Sequence, residues 1–421
     1  MKKILILVLL LSQSAYSQTL EIEFGKITID ELKMKSYEED KEAKAVILYD
    51  KGKSIFFQTE NDFNIRFKRH KRIKVFDKTQ SQYAEVFIPF YDDGYGTTEI
   101  VKSIQARTYN IVDGIFTTKE LDPSTVYDEQ INARWHMKKF VFPDVQDGAI
   151  LEYSYVLESP FLFNLPDWTF QDKIPTVYSE YQVNMIPFYE YVSINQGISR
   201  FDYQNTEVAE ESRTWGSIRS GGIGFKDYVS TYVMKDVPAF RDESYILSFD
   251  DYIMKMDFLL AKYHSSTGRT TEIISTWPEL NESLLKHDYF GEYLNKSSKF
   301  AKKVLAENLT IENQDENEKA KQIVEYVKNN FEWNGYSGKY ATQSAKEFFN
   351  NKRGNDADIN LFLISLLNEA GINAEPLILS TRTHGKILID YPFNRFTDYV
   401  IAFVNTDIPF MADGTEDILL T

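Results

Sequence analysis

The chain has 421 residues, 43% of them hydrophobic, with 47 basic against 63 acidic side chains and a formal net charge of −16. That apolar content supports more than one packed domain and excludes wholesale disorder, and the acidic balance excludes a nucleic-acid binder, because phosphates would be repelled. There is no cysteine, which excludes disulfide staples, lipid attachment at a cysteine and a thiol nucleophile.

At the N-terminus, Lys2-Lys3 precede the apolar run Ile4 to Leu11, and Ala15-Tyr16-Ser17 gives a small-x-small site before Gln18. This order predicts a secretory signal peptide over residues 1–17. The apolar run is far shorter than the roughly 20 residues that a spanning helix needs, and no later stretch is apolar enough to span. The expected product is exported, periplasmic or cell-envelope associated, and soluble or peripherally attached. Removing Lys2 and Lys3 makes it more acidic still.

From about Ala45 to Met234 the chain reads as β structure, consistent with its 27 Tyr and 30 Phe, which strands favour. Ala45 to Tyr49 and Ile55 to Gln58 read as short strands around a turn at Asp50-Lys51-Gly52. Phe63 to Lys68 alternates with period two, the mark of a half-buried strand. Ile73 to Phe76, Val86 to Phe90, Trp135 to Phe142, Ile150 to Leu157, Val177 to Met185 and Phe188 to Ile194 continue the pattern. Asp92-Asp93-Gly94, Val112-Asp113-Gly114 and Gln146-Asp147-Gly148 supply turns. An antiparallel β-sandwich is expected over residues 18–265. The basic run Arg66 to Lys74 reads as a solvated strand face, or alternatively as a patch for an anionic ligand or membrane surface. Gly221-Gly222-Ile223-Gly224 and Pro238-Ala239-Phe240 mark a boundary region.

After Thr276-Trp277-Pro278 the pattern becomes helical, and residues 266–421 are expected to form a second domain. Ala320, Ile323, Val324, Val327 and Phe331 recur at helical spacing on one face. Ser344 or Thr342 caps a short helix at Ala345 to Phe349. Lys352-Arg353-Gly354-Asn355-Asp356-Ala357-Asp358 opens a helix that is apolar on most sides, so this helix should be central. Pro376 to Leu379 and Tyr399 to Val404 read as strands.

The Gly354 loop, the Leu-rich helix closed by Ala370-Gly371-Ile372 and the later Asp413-Gly414-Thr415 resemble a papain-like transglutaminase-like domain, with its core over residues 316–415. The basic strand Arg66 to Val75 and the segment Asp147-Gly148-Ala149-Ile150-Leu151-Glu152-Tyr153 resemble the β-rich domain of unknown function that precedes such domains in exported bacterial proteins. The resemblance implies an α+β multidomain fold whose second domain stops short of the family's usual C-terminal β structure. It implies a Cys, His, Asp active site. Here the Cys position falls on Asp356, the His position near Tyr399 and the Asp position on Asp413.

Acyl transfer needs a nucleophile, a base and a group that orients the base. An Asp at a helix N-terminus is expected to be held ionised by the dipole, and Tyr399 is a poor base near neutral pH. The catalytic set is therefore expected to be degenerate, with no cofactor and no metal. Trp333 and Tyr336, in the loop before the motif, and His384 are the candidate ligand-binding residues. The leading expectation is a pseudoenzyme that binds a peptide, peptidoglycan fragment or glycan, or acts as an envelope scaffold. The rivals are a carboxylate- or metal-dependent hydrolase built on the same cleft with Asp356 and Asp413, the metal form having Asp356, Asp358, Asp398 and Asp413 as oxygen ligands for a hard cation such as Ca²⁺, and a purely structural envelope protein. The five histidines show no metal-ligand spacing.

Overall fold

The computed structural model describes residues 19–415 except 61, 80, 132–133, 217–220, 242–248, 266–267, 275, 312–314, 383 and 385. The expected signal peptide lies outside the described residues. The chain divides into two compact units, Met1–Arg241 with Ile253–Leu260 and Ser265–Gly268, and Asp242–Tyr252 with Ala261–His264 and Arg269–Thr421. No described helix is long and apolar enough to cross a membrane.

The first unit begins with α1 (Ile29–Lys33), whose capping box joins Thr28 and Glu31. Its strands are β1 (Ala45–Gln58), β2 (Phe63–Val75), β3 (Glu85–Tyr91), β4 (Ile100–Val112), β5 (Ile115–Glu120), β6 (Tyr127–Gln130) and β7 (Trp135–Val141). β8 (Ile150–Ser159), β9 (Trp168–Thr169), β10 (Thr176–Met185), β11 (Tyr189–Gln196), β12 (Tyr203–Trp215), β13 (Ile223–Val237) and β14 (Lys255–His264) follow. An eight-stranded sheet runs β12-β13-β10-β1-β2-β8-β4-β5, with a smaller sheet β3-β7-β6 beside it in sequence. Its described pairings are antiparallel except β1 with β10, which run parallel. β14 pairs with β9 and β11 in a further sheet.

Three local expectations are corrected here. Asp50-Lys51-Gly52 is the middle of the continuous strand β1 rather than a turn. Gly52 is there because a Cβ would lie 2.3 Å from the indole of Trp168, the close approach that glycine inside a strand often marks. Ile223 and Gly224 begin β13, paired with β12 and β10, so the first boundary signal lies inside the sheet.

From Arg69 onward the basic run is not a solvated face. Lys71, Arg72 and Lys74 are buried. Arg69 makes a bidentate contact with Asp50 at 2.6–2.9 Å, and Lys71 reaches Asp172 at 3.0 Å. Arg72 joins Glu31 at 2.6 Å and Glu152 at 2.5 Å. Lys74 donates to the carbonyls of Leu32 and Gly148, and burial lowers its pKa to about 8. These partners draw residues 20–33 across β1, β2 and β8. Gly25 N donates to Glu152 at 2.8 Å, and Tyr49 Oη donates to Leu20 O.

In the second unit the end of β14 pairs with β15 (Thr270–Glu272). The helices are α2 (Trp277–Leu285), α3 (Gly291–Glu307), α4 (Glu316–Asn330), α5 (Ala345–Asn351) and α6 (Asp356–Glu369), interleaved with β16 (Glu332–Trp333) and β17 (Arg353–Gly354). β18 (Ala374–Leu379), β19 (Tyr399–Val404) and β20 (Phe410–Ala412) form an antiparallel sheet. Every α6 residue from Asp356 to Leu367 is buried, as its all-round apolar pattern predicts. Its core partners include Ala301, Val304, Ile323, Val327, Phe348 and Val400. Ser344, not Thr342, caps α5 through a capping box with Glu347.

Candidate functional site

The site is built around the first turn of α6. Lys352 ends α5 with φ 55°, and Gly354 follows in β17. Gly354 is required because a Cβ would sit 2.6 Å from Asp358 Cβ. Asn355 is the N-cap, and its side chain and that of Asp358 complete a capping box. Asp356 is therefore the first helical residue, fully buried at 0% exposure. Its Oδ1 accepts the Gly338 N–H at 2.7 Å. Its Oδ2 is buried with no hydrogen-bond partner among the described residues.

The expectation that the dipole holds Asp356 ionised is overturned. Burial raises its pKa to about 8, and the charge of Asp413 pushes the same way. The backbone N–H groups of Gly338, Ala357 and Asp356 itself act in the opposite direction and are outweighed. The half-charge of a helix end amounts to about 0.3–2 kcal/mol, less than the cost of desolvating an unpaired carboxylate. Asp356 is a neutral carboxylic acid near neutral pH.

Tyr399 starts β19, which pairs with β18. Its hydroxyl donates to Asp413 Oδ2 at 2.8 Å and lies 2.8 Å from Thr415 Oγ1. Burial and the charges of Asp413 and Asp356 raise its pKa far above its ordinary value. Asp413, just after β20, also accepts from Asn360 Nδ2 at 3.0 Å, Thr415 N at 2.8 Å and Thr415 Oγ1 at 2.7 Å. Tyr399, half-buried, is thus bonded to the buried Asp413, and the charge of Asp413 reaches the buried Asp356.

The other two acids point elsewhere. Asp358 accepts from Thr342 Oγ1 at 2.7 Å and Asn355 N at 3.1 Å. Asp398 accepts from Thr381 N at 2.7 Å and Thr381 Oγ1 at 2.5 Å. The four Asp residues of the metal-dependent rival therefore do not converge, and no acid or histidine cluster among the described residues could hold a metal ion.

Of the candidate binding residues, Trp333 is 39% exposed and Tyr336 53% exposed. Trp333 Nε1 donates to Tyr336 O at 2.8 Å, so the two aromatics are held together on one loop. Gly338, two residues on, holds Asp356. His384 Nε2 lies 2.6 Å from Arg395 O, and its Nδ1 is 3.9 Å from Asp398. Its partners are loop groups.

Two site residues escaped the sequence reading. Asn360 lies four residues after Asp356, hence on the same helix face, and that spacing was the available signal. It donates to Val400 O and Asp413, and accepts from Gly414 N at 2.7 Å. Lys339 has no such signal. It is buried, donates to the carbonyls of Asn394 and Thr397, and reaches Thr397 Oγ1 at 2.9 Å. Burial lowers its pKa to about 8. It fastens the turn that delivers Tyr399.

A buried helix opened by a Gly-containing loop, packed with a three-stranded antiparallel sheet that carries Tyr399 and leads into Asp413, is a transglutaminase-like architecture. Comparison with known proteins agrees. Residues 303–402 match the model of the transglutaminase-like superfamily, and residues 61–214 match a domain of unknown function, DUF3857. The chain carries a DUF3857 domain followed by a transglutaminase-like domain. A solved protein from Parabacteroides distasonis, described as a "putative protease", is 14% identical, with coverage of 88% of this chain and 67% of that one and a TM-score of 0.57. That likeness is one of fold. A "putative cysteine protease" from Cytophaga hutchinsonii is 12% identical over 76% of this chain and 82% of its own, with a TM-score of 0.23, too low to carry a structural argument. No curated protein matches.

Proposed function

We propose that this is an exported, cell-envelope protein whose transglutaminase-like domain binds rather than cleaves. The observation that carries the reading is Asp356: at the nucleophile position stands a fully buried carboxyl whose pKa is raised by burial to about 8. A neutral carboxylic acid is no nucleophile, and the adjacent tyrosine is no base near neutral pH. Tyr399 spends its proton on Asp413. The cluster works as a polar lock between α6, β19 and the residues after β20.

The exposed pair Trp333 and Tyr336 supports a binding role for the loop ahead of α6. Aromatic faces of this kind suit a sugar ring or an extended peptide, as in a peptidoglycan fragment. The test is calorimetry with soluble peptidoglycan fragments. Saturable binding that Trp333→Ala with Tyr336→Ala weakens at least about tenfold supports the reading. Binding that is undiminished in that variant, or hydrolysis of the fragments that Asp356→Ala abolishes, contradicts it.

One observation favours a second reading. Asp356 Oδ2 has no hydrogen-bond partner among the described residues, its carboxyl is raised in pKa to about 8, and the nearby Asp413 accepts from Asn360, Tyr399 and Thr415. An acid beside a carboxylate is the pairing used in carboxylate-dependent hydrolysis. That reading requires an activity that falls as pH rises through about 8, where Asp356 loses its proton.

A further inference from the structure

The first unit holds a cavity of about 400 Å³ lined by Glu21, Ile22, Glu23, Tyr49, Lys51, Lys53, Lys68 and His70. It sits where residues 20–23 cross β1 and β2. On β1, Tyr49, Lys51 and Lys53 alternate onto one face, and Lys68 and His70 do so on β2. The register sets Lys53 directly opposite Lys68, and Lys51 opposite His70.

Like charges directly opposite one another destabilise a sheet. Neither Lys53 nor Lys68 has an ion-pair partner among the described residues. Lys53 is accordingly shifted down in pKa, by burial first and then by the charges of Lys51 and Lys68, against the pull of Glu21 and Glu180. The third ammonium, Lys51, is positioned by the buried Glu180 at 2.9 Å. His70 uses Nε2 on Glu152 at 2.9 Å, and its Nδ1 has no hydrogen-bond partner among the described residues. Tyr49 packs edge-on against the His70 ring at 5.2 Å.

The acids at the mouth are not matched to the lysine pair. Glu21 is 88% exposed and stands 3.8 Å from Lys51, and Glu23 is 71% exposed and pairs with Lys26. In a chain of net charge −16, this cavity gathers three lysines, two of them without an ion-pair partner among the described residues.

We propose that this cavity binds a phosphate group, held by Lys53 and Lys68 with Lys51 behind them. Three ammonium groups suit a multi-oxygen dianion better than a single carboxylate, and lysine serves phosphate as a point charge. The cavity has room for more than the anion alone, so a phosphomonoester or a lipid phosphate headgroup fits the same chemistry. Glu21 competes with the anion for Lys51.

The test uses the purified full chain, its Lys53→Met/Lys68→Met variant and its Glu21→Gln variant. Both lysines are exposed, so the double variant should fold, which circular dichroism checks. Binding is measured by calorimetry with inorganic phosphate and glucose 1-phosphate, and by flotation with phosphatidylglycerol vesicles. One-site binding of a soluble phosphate, weakened at least about tenfold in the double variant and tightened about two- to threefold in Glu21→Gln, is the expected result. Vesicle binding alone, lost in the double variant, also supports the site and assigns it to a lipid phosphate. Absence of binding to all three probes, or binding that the double variant retains, overturns the proposal. Trp333→Ala should leave phosphate binding unchanged, which separates this site from the aromatic loop.

Discussion

Glu152 in the first unit and Asp356 in the second are equally inaccessible, at 0% exposure each. For both, burial is the largest influence and acts to raise the pKa. Around Glu152, hydrogen bonds from His70, Arg72 and Tyr109, with the charge of Arg72, reverse that influence and bring the pKa down to about 2. Around Asp356 there is no cation among its partners, only backbone N–H groups and the like charge of Asp413, and the pKa rises to about 8. Between these two acids the difference is the cation and the side-chain donors around Glu152, which Asp356 lacks among its partners. In the β-rich unit Asp50, Asp172 and Glu152 each serve as one half of an ion pair. The helical unit keeps Asp356 neutral near pH 7.

The comparison can be broken most forcefully at Arg72. Arg72→Met leaves Glu152 and Glu31 without their cation, and removing one partner of a buried pair costs about 3–5 kcal/mol. Denaturant unfolding should show a loss of that size. A loss below about 1 kcal/mol would mean that Glu152 simply takes up a proton, as Asp356 does.

Asp356→Asn should act in the opposite sense. The folded pKa of about 8 lies above the ordinary 3.8, so ionising the unfolded chain costs the native state stability as pH rises from about 4 to about 8. Above pH 8 the loss is complete, and below pH 4 it is absent. The Asn variant should be less stable than the wild type by about 2 kcal/mol at pH 4, because its Nδ2 inherits the unpartnered position. It should be more stable by roughly 3 kcal/mol at pH 8.5, where the ionised wild-type acid has lost about 5 kcal/mol. Thermal unfolding across that pH range reads the difference directly.

Glu152 supplies the other limb. Its folded pKa of about 2 lies below the ordinary 4.5, so the stability it contributes is present above about pH 4.5 and is lost as pH falls toward 2. Acid titration of the wild type should show a decline on the order of 3 kcal/mol from this group, and Arg72→Met should flatten it. The smallest effect belongs to Tyr399→Phe, which removes one of the donors to Asp413. A loss of about 1 kcal/mol is expected, with no change in the pH dependence assigned to Asp356.

How legible this was depended on distance along the chain. The central helix, its all-round burial and the capping of its neighbours follow from local pattern, and the structure agrees at Ala320, Ile323, Val324 and Val327 as well. The grouping of Asp356, Tyr399 and Asp413 came from resemblance. The turn assigned at Asp50-Lys51-Gly52 failed because the indole that makes Gly52 necessary comes from Trp168, more than a hundred residues away. The basic strand was misread for the same reason. The counter-ions of Arg69, Lys71 and Arg72 are Asp50, Asp172, Glu152 and Glu31, set by strand pairing and by the crossing of residues 20–33. The charge of Asp356 was misjudged because a local rule about helix ends carries no information on desolvation.

The most direct test of this account is the protonation state of Asp356 itself. Infrared difference spectra of the wild type against Asp356→Asn should show a protonated carboxylic acid carbonyl at pH 6 that is lost as pH rises through about 8. A carboxylate signal already present at pH 6 would show that the acid is ionised in the folded chain and would contradict the claim that burial without a cation keeps it neutral.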